Sequence, residues 1–324
     1  MIEVLDGGIS TTVQDLGRHG QYHIGMPPSG AMDEEAHRVA NVLVGNEADD
    51  ATLEMTYGGA DLRFETDAVV ALSGATMAAT IGDEPVPMHT AVRVEEGEEL
   101  ETEFATDGAR TYLSVAGGID VDPVMESRST YTLVGIGGYE GRTLAEGDRL
   151  PIGEQSVASD EVIGAEAPDE HLRDLDGDGT DIAVVVGLCD YRLTDESREQ
   201  LCDTEWTVTP EADRVGYRLD GPELEFVERE QPFGAGRDPS NVVDIGYPVG
   251  SIQLPQKPIV LMQDAVTGGG YATVGTVVST ERNRLAQRRT HETVQFEAVT
   301  VDEAVERRGA AKDRMAALRE ALEG

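Results

Sequence analysis

Lysine and cysteine are both scarce in this chain of 324 residues, and each scarcity excludes a class of protein. The chain has 63 acidic residues and only 25 basic ones, and Lys257 and Lys312 are its only lysines. No basic surface is therefore expected for binding nucleic acid or an anionic membrane. Cys189 and Cys202 are too few for a disulfide framework or a zinc site, and we interpret them as core residues in a reducing compartment. Long hydrophobic runs are also absent, and no signal peptide precedes the first predicted strand, so a cytoplasmic protein without a membrane segment is predicted.

The net charge of −38 has a physical explanation that does not require an acidic binding partner. The acidic residues are interspersed with apolar ones, and 39% of the residues are hydrophobic, which is enough for a buried core. Charges this dense repel one another in dilute buffer and are screened at molar salt. We interpret the composition as an adaptation to a salty, halophilic cytoplasm.

Short apolar runs separated by glycine-rich turns predict a mainly β protein with a few short helices. The clearest helix is predicted over Asp33–Val44, with Asp33 as its N-cap and Gly45 after its end. Further helices are predicted over Leu193–Leu201 and Val301–Leu322. The predicted strands are Ile2–Leu5, Leu53–Tyr57, Asp61–Phe64, Val69–Ser73, Ala91–Val94, Arg110–Ala116, Ile182–Gly187, Thr204–Val208, Val242–Ile245, Ser251–Leu254, Ile259–Gln263, Ala272–Val278 and Thr293–Ala298.

A sparse internal repeat relates the two halves of the chain. The run from Glu54 to Phe64 matches the run from Asp244 to Leu254, and in both halves an apolar strand and a polar turn follow. The repeat favours two copies of one β-rich unit. The predicted organisation is a first subdomain over 1–155, an acidic linker over 156–180, a second subdomain over 181–300 and a C-terminal helix over 301–324.

Three polar clusters are candidates for a binding or catalytic site. The first is the sharply turned segment Ser10–Asp33, in which glycines and prolines fix the backbone between polar side chains and scattered apolar residues argue against a disordered arm. Its candidate residues are Thr12, Gln14, Asp15, Arg18 and Ser29.

The second cluster joins Ser127–Thr130 to the glycine-rich run Gly135–Arg142. Its candidates are Arg128, Ser129 and Arg142, because an arginine can donate two parallel hydrogen bonds to a carboxylate or phosphate. Surface turns with paired arginines are the alternative interpretation.

The third cluster is Asp264–Tyr271, whose consecutive glycines could direct backbone N–H groups toward an anion. A flexible hairpin tip is the alternative interpretation. The candidates here, with two neutral donors from neighbouring segments, are Asp264, Thr267, Gly268, Gly269, Tyr271, Asn241 and Gln253.

Signals for metals, nucleotide loops and biotin attachment are weak or absent. His19 and His23 share no helical face, and the calcium-like run Asp174–Gly179 has Val185 where a bidentate glutamate is needed, so no metal site is predicted. There is no G-x-x-x-x-G-K-[ST] motif, and neither lysine lies between methionines as in a biotin carrier.

Several motif blocks, in order, resemble one known family over about Ile2–Val299. They are TTVQDLGR, PPSGAMD, AN-x-LVGN, YLSVAGGID, ESRSTY, GGYEGR, SNVVDIGYPVGSIQLP and TGGGY. Together they are similar to the biotin-dependent carboxyltransferase family of the KipA type, which includes 5-oxoprolinase subunits, allophanate-hydrolase subunit 2-like proteins and the carboxyltransferase part of urea carboxylase. The resemblance implies two tandem cyclophilin-like β-barrel subdomains.

The resemblance also implies a function and partners. Relatives of this length look like the C subunit of an ATP-dependent 5-oxoprolinase, which acts on a small-molecule amide together with two partners, one of KipI type and one of LamB/YcsF type. ATP would be used by the complex at an unassigned site. Under this hypothesis Asp15 or Asp264 would handle protons, and Arg18, Arg128 and Arg142 would bind anions. The alternatives are a biotin-dependent carboxyltransferase acting on urea or another amide, and a non-catalytic regulator that binds a KipI-type partner.

Overall fold

The protein was analysed as a computed structural model, which describes residues 1–155, 159–172 and 181–323. Its contacts divide the chain into two compact units. The first unit holds the described residues of Met1–Arg18, Ser29–Leu175 and Lys312–Gly324, and the second holds those of His19–Pro28 and Asp176–Ala311. This division assigns His19–Pro28 to the second unit, and the predicted subdomain boundaries remain predictions. Part of the predicted linker, including the calcium-like run Asp174–Gly179, lies outside the described residues.

One curled antiparallel sheet of nine strands forms the body of the first unit. The strands are β1 (Ile2–Asp6), β2 (Thr11–Gln14), β3 (Thr52–Thr56), β4 (Asp61–Phe64), β5 (Ala68–Ile81), β6 (Glu84–Pro85), β7 (Val92–Val94), β8 (Glu99–Val115) and β9 (Arg149–Leu150). The main path of the sheet is β2-β3-β8-β4-β1-β9, and the long strand β5 pairs with β8, β7 and β6. Register shifts along the β5–β8 pair bend both strands, as bulges do.

In the first unit an apolar core packs against one face of this sheet, and a helix packs against the other face. Alternate strand residues such as Val13, Leu53 and Leu113 are fully buried in the core. Helix α1 (Glu34–Leu43) begins as predicted, because Asp33 accepts a hydrogen bond of 3.1 Å from the backbone N–H of Ala36. A short helix, α2 (Ser159–Val162), follows later in the chain.

The second unit is built on a closed barrel of seven strands and a separate two-stranded ribbon. The strands are β10 (Asp181–Val186), β11 (Glu205–Val208), β12 (Gly216–Asp220), β13 (Asn241–Gly246), β14 (Ser251–Gln253), β15 (Ile259–Leu261), β16 (Gly268–Tyr271), β17 (Thr273–Val277) and β18 (Thr293–Ala298). The order around the barrel is β10-β17-β14-β15-β12-β11-β18, and the parallel pairing of β10 with β18 completes the ring. The ribbon joins β13 to β16.

Three helices follow or separate these strands: α3 (Asp195–Asp203), α4 (Ser279–Gln287) and α5 (Val301–Glu323). Thr194 caps α3 by accepting a hydrogen bond of 3.1 Å from the backbone N–H of Ser197. Among the described residues, no helix combines the length and the apolar character needed to cross a bilayer.

The mainly β fold with two barrel-like units is confirmed, and several local expectations need correction. Helices α2 and α4 and strands β6, β9 and β12 were not predicted, and neither was β2, which lies in the segment interpreted as sharply turned. The glycines of the third cluster form strand β16 instead of a turn, because they pair in register with β13. The close packing explains the glycines: a Cβ on Gly269 would lie 3.0 Å from the Tyr247 ring.

Candidate functional site

The carboxylate of Asp15 brings the first two predicted clusters together in the first unit. It accepts hydrogen bonds from the hydroxyl of Ser127 at 2.7 Å, the hydroxyl of Ser129 and the backbone N–H of Arg128. The backbone N–H of Gly17 donates a further bond at 2.8 Å. Asp15 is 7% exposed, so these bonds replace almost all of its hydration. We call this arrangement the Asp15 clamp.

The contacts of Asp15 are those expected of a residue that holds neighbouring backbone segments in position. Ser129 Oγ also accepts a bond of 3.1 Å from the backbone N–H of Asp15, so the two segments are joined in both directions. These four hydrogen bonds occupy both carboxylate oxygens and leave them little room to contact a substrate. The proton-transfer role suggested for Asp15 therefore remains a prediction, and its visible role is to hold two loops in place.

Arg18 lies beneath the same clamp and is 1% exposed. Its Nη2 donates to the backbone carbonyl of Ser129. Gly137 lies against both groups: a Cβ there would lie 2.6 Å from Arg18 Nη2 and would collide with the Ser129 carbonyl. The glycine-rich run of the second cluster is thus needed for close packing as well as for its backbone angles.

Buried polar atoms without a protein partner lie on the segments that the clamp holds. Gln14 donates from Nε2 to Thr12 Oγ1 at 2.9 Å and to the Thr130 carbonyl at 3.2 Å, but its Oε1 has no partner among the described residues. The hydroxyl of fully buried Ser29 also lacks a partner there, and Ser29 adopts a φ of +54°. An unsatisfied buried polar group costs about 1–3 kcal/mol, so these atoms are the natural points of contact for a ligand or a water molecule.

Sequence reasoning missed a buried polar network on the sheet face under α1. Glu54 is 1% exposed, and its Oε2 accepts bonds from Tyr112 Oη at 2.7 Å and from the backbone N–H of Met32 at 2.8 Å. The Tyr112 hydroxyl in turn accepts a bond of 2.8 Å from the backbone N–H of Asp33. Burial and the nearby Glu54 charge raise the pKa of Tyr112. The network anchors the PPSGAMD segment, and polar residues alternating with apolar ones in β3 were its only signal in the sequence.

His37 lies beside this network, with its ring edge-on to that of Tyr112, and is neutral at physiological pH. Its Nδ1 lies 2.9 Å from Thr52 Oγ1 and its Nε2 lies 3.3 Å from Asn41 Nδ2. Burial lowers the pKa of His37 to about 4. No cluster of three or more His, Cys, Asp or Glu side chains with a geometry for a metal ion occurs within the described ranges.

The two partly exposed arginines of the second cluster already have protein partners. Arg128 donates to the Val121 carbonyl at 2.9 Å and to Asp120 at 3.0 Å. Arg142 makes a two-pronged pair with Asp148, at 2.6 and 2.8 Å, and a further bond of 2.9 Å to Glu140. The Arg142 hydrogen bonds lower the pKa of Asp148. A substrate anion at Arg142 would have to displace a carboxylate.

The third cluster lies in the second unit. Asp264 is 2% exposed and pairs with Arg214, with Nε–Oδ2 and Nη2–Oδ1 distances of 2.8 and 3.2 Å. Tyr271 donates its backbone N–H to Tyr247 Oη at 2.6 Å. Gln253 is 5% exposed, and its Nε2 has no partner among the described residues. Gly268 and Gly269 lie in the ribbon that β16 forms with β13, and Thr267 directly precedes it.

A cavity of about 490 Å³ opens in the second unit. Of the predicted site residues, Asn241 and Tyr271 are part of its lining. Basic and acidic side chains also line it, including Arg218 and the Lys257–Asp220 ion pair. The cavity is therefore polar and of a size that suits a small molecule.

Comparison with known proteins gives consistent matches. Residues 24–298 match the family model described as "Carboxyltransferase domain, subdomain A and B". The chain is 36% identical to the 5-oxoprolinase C subunit of Escherichia coli, over 95% of this chain and 94% of that protein. It is also 36% identical to a putative urea carboxylase of Emericella nidulans, over 93% of this chain but 24% of that protein. The crystal structure of the K. lactis urea amidolyase matches with a TM-score of 0.92 at 33% identity, over 98% of this chain and 20% of that chain.

Proposed function

Because this chain belongs to the carboxyltransferase domain family with subdomains A and B, we propose that it is the C subunit of an ATP-dependent 5-oxoprolinase complex. The observation that carries the proposal is the alignment with the Escherichia coli C subunit, which spans nearly all of both proteins. A second 5-oxoprolinase C subunit, from Haemophilus influenzae, aligns over the same shares of both chains at 33% identity. The proposed partners are one subunit of KipI type and one of LamB/YcsF type.

The proposed reaction opens the lactam of 5-oxoproline to glutamate. A lactam carbon is poorly electrophilic because the amide is stabilised by resonance. Transfer of the γ-phosphoryl group of ATP to the lactam oxygen releases ADP and activates the carbon. Water then adds to this carbon and the ring C–N bond breaks, with the nitrogen leaving as a protonated amine, which gives an acyl phosphate. A second water hydrolyses the acyl phosphate to the side-chain carboxylate of glutamate and releases phosphate. Such chemistry requires groups that position the lactam, hold a proton and stabilise developing negative charge.

The first unit offers groups that suit this substrate. A lactam has one carbonyl acceptor and one N–H donor. The Ser29 hydroxyl can donate to a carbonyl, and Gln14 Oε1 can accept from an N–H; neither has a protein partner among the described residues. We assign both to substrate binding, with Thr12, Arg18 and Ser129 shaping the same segment. Asp15, Arg142 and Asp264 remain the proposed catalytic residues, and the bonds around Asp15 favour a positioning role for it.

A second candidate is a biotin-dependent carboxyltransferase acting on urea or another amide. The observation that favours it is the TM-score of 0.92 to the Kluyveromyces lactis urea carboxylase structure. Urea also presents one carbonyl and N–H donors, so the Gln14 and Ser29 atoms alone do not separate the two substrates. A third candidate is a non-catalytic regulator that binds a KipI-type partner.

Reconstitution with the two partner proteins at molar KCl separates the candidates. We expect glutamate release from 5-oxoproline that requires ATP and all three proteins. Urea-dependent consumption of carboxybiotin without glutamate release would instead establish the second candidate, and binding of the KipI-type partner with neither activity would establish the third.

A matched pair of hydroxyl deletions tests the assigned contacts. Ser29→Ala removes a hydroxyl that has no partner among the described residues, so we expect unchanged stability but at least about tenfold slower turnover. Thr130→Val removes a hydroxyl that donates to the Val13 carbonyl at 2.9 Å, so we expect lower stability. Unchanged turnover in Ser29→Ala would contradict the assignment.

A further inference from the structure

Arg192 is a buried cation that has no acidic partner among the described residues, in a protein with 63 acidic residues. It ends a short 3-10 turn, Asp190–Arg192, in the second unit and is 1% exposed. Its Nη2 donates to Gln231 Oε1 at 3.1 Å, while Nε has no partner in the described part of the chain. Burial of a charge without a counter-charge costs several kcal/mol, so the arrangement requires an explanation.

Nearby groups do not supply the missing negative charge. Asp190, two residues before Arg192, lies against Arg198 instead, with an Nε–Oδ2 distance of 3.5 Å. The backbone around Arg192 is satisfied, because its N–H donates to the Cys189 carbonyl at 3.0 Å and its carbonyl accepts from Val227 at 2.8 Å. Removal from water, followed by the positive charge of Arg229, lowers the pKa of Arg192.

Arg229 adds a second cation at the same place. Its guanidinium lies 6.0 Å from the ring centroid of Tyr191, the residue before Arg192. Arg229 is exposed and makes no ion pair with any described residue. It belongs to the segment that contacts Arg192 through Val227 and Gln231. Two arginines, one buried and one exposed, thus lie close enough for their positive charges to repel each other.

The Arg214–Asp264 pair of the same unit shows how a largely buried arginine is neutralised by a carboxylate. Arg214 and Asp264 have side-chain exposures of 15% and 2%, and two nitrogens of the guanidinium meet two oxygens of the carboxylate. That fork-to-fork geometry satisfies both charges. Arg192 has comparable burial, but no described residue provides it with a carboxylate.

We infer that Arg192 and Arg229 form a subsite for the carboxylate of a small-molecule ligand, with Gln231 and Tyr191 beside them. The Nε of Arg192 has no partner among the described residues, and a guanidinium matches a carboxylate with two parallel N–H bonds. Arg229 approaches the same anion from the exposed side, and the flat ring of Tyr191, which is 60% exposed, offers an apolar surface to the rest of the ligand. The identity of this ligand as 5-oxoproline or glutamate, both of which carry a carboxylate, rests on the proposed function.

The test measures thermal unfolding of the full chain in molar KCl with potassium 5-oxoproline, acetate or inorganic phosphate added in turn. We expect 5-oxoproline to raise the melting temperature of the wild type, because a ligand that binds the folded state stabilises it. Arg192→Met should weaken the apparent affinity at least about tenfold, the loss expected for a charge-assisted hydrogen bond. Arg237→Gln removes one charge from an exposed position in the same loop and should leave the affinity unchanged.

Stability without ligand separates a binding role from a structural one. Arg192→Met should be as stable as the wild type or more stable, because it removes a buried charge for which the described residues supply no counter-charge. Arg214→Met should be clearly less stable, because it leaves Asp264 buried and unpaired. A loss of stability in Arg192→Met that equals the loss in Arg214→Met would overturn the inference.

The choice of anions separates this inference from the proposed function. Equal effects of acetate and 5-oxoproline, both lost in Arg192→Met, would support the subsite while counting against the lactam as its ligand. A preference for phosphate would overturn the carboxylate assignment. Responses to all anions that persist in Arg192→Met would show non-specific salt effects and overturn the subsite.

Discussion

The carboxylate of Asp15 accepts a hydrogen bond of 2.7 Å from the hydroxyl of Ser127, although 112 residues separate them in the chain. This bond and its neighbours join the TTVQDLGR block to the ESRSTY block. Two motifs that look independent in the sequence are therefore one structural element, and the groups proposed to contact substrate depend on it.

Asp15→Asn should destabilise the protein by about 2–4 kcal/mol, because an amide presents a donor to groups that already donate. Chemical denaturation at molar salt measures the change. Asp122→Asn makes the same charge change at an exposed position and should have little effect. Equal stabilities of the two variants would show that the clamp contributes nothing.

Two glycines of the second cluster offer a controlled test of close packing. Gly135 and Gly137 have φ values of +68° and +67°, so alanine is strained to the same degree at both. A Cβ on Gly135 would meet open space, and Gly135→Ala should cost about 1–2 kcal/mol from backbone strain alone. Gly137→Ala would also press on Arg18 and Ser129 and should cost at least about 3 kcal/mol. Equal costs, measured by denaturation, would contradict the packing argument.

Arg142 and Asp148 can be separated by single substitutions. Each variant should lose about 1 kcal/mol of stability, because the pair is partly exposed. We expect Arg142→Ala to abolish glutamate release in the reconstituted complex, since its guanidinium is the proposed anion ligand. Asp148→Asn should retain most activity, because Arg142 keeps its charge and its bond to Glu140. Equal losses of turnover would show that Arg142 only holds the turn.

His37 predicts a specific dependence of stability on pH. Its pKa is about 4 in the folded state, against 6.5 for an exposed histidine. Above pH 6.5 both states are neutral at this residue; below it the unfolded state gains a proton first, so stability falls as the pH drops from 6.5 to 4. The full loss is about 3 kcal/mol. The stability difference between the wild type and His37→Gln should shrink by that amount over this range, and a constant difference would contradict the assignment.

The net charge of −38 predicts strong salt dependence. Repulsion between surface carboxylates is screened by added ions, so the free energy of unfolding should rise steadily as KCl is raised to molar concentration. A neutral osmolyte serves as the control for general exclusion effects. A free energy of unfolding that does not change with KCl concentration would contradict the interpretation of salt adaptation.

Local patterns were sufficient for part of the fold. Helix α1 was predictable because a capping aspartate precedes an apolar stripe with helical spacing, and both signals lie within a dozen residues. Strands β4 and β18 lie at the predicted positions for similar reasons. Helix α4 was not predictable, because the residues that it buries include Glu281, Asn283 and Gln287. Neighbouring elements cover these polar residues in the folded protein, whereas their polarity predicts that they would be exposed to solvent.

The candidate site was less predictable than the fold. The sequence identified Asp15, Arg128 and Ser129 as site residues but not that they bond to one another. The alternation of polar and apolar residues in β3 was the only sign of the Glu54 network. Its partner Tyr112 was not predictable, since strand pairing between β3 and β8 brings the two together across 58 residues.

The sequence by itself determined the β-rich character, the capped helix and the acidic composition, because each depends on composition or on spacing within one turn or strand. The repeat between its two halves indicated the two-part organisation. Only the tertiary structure decided that Arg142 meets Asp148 and that Arg192 is buried without an acidic partner among the described residues. Such contacts depend on strand register and on which polar atoms are removed from water. Those quantities are set by the whole fold, and no short stretch of sequence contains them.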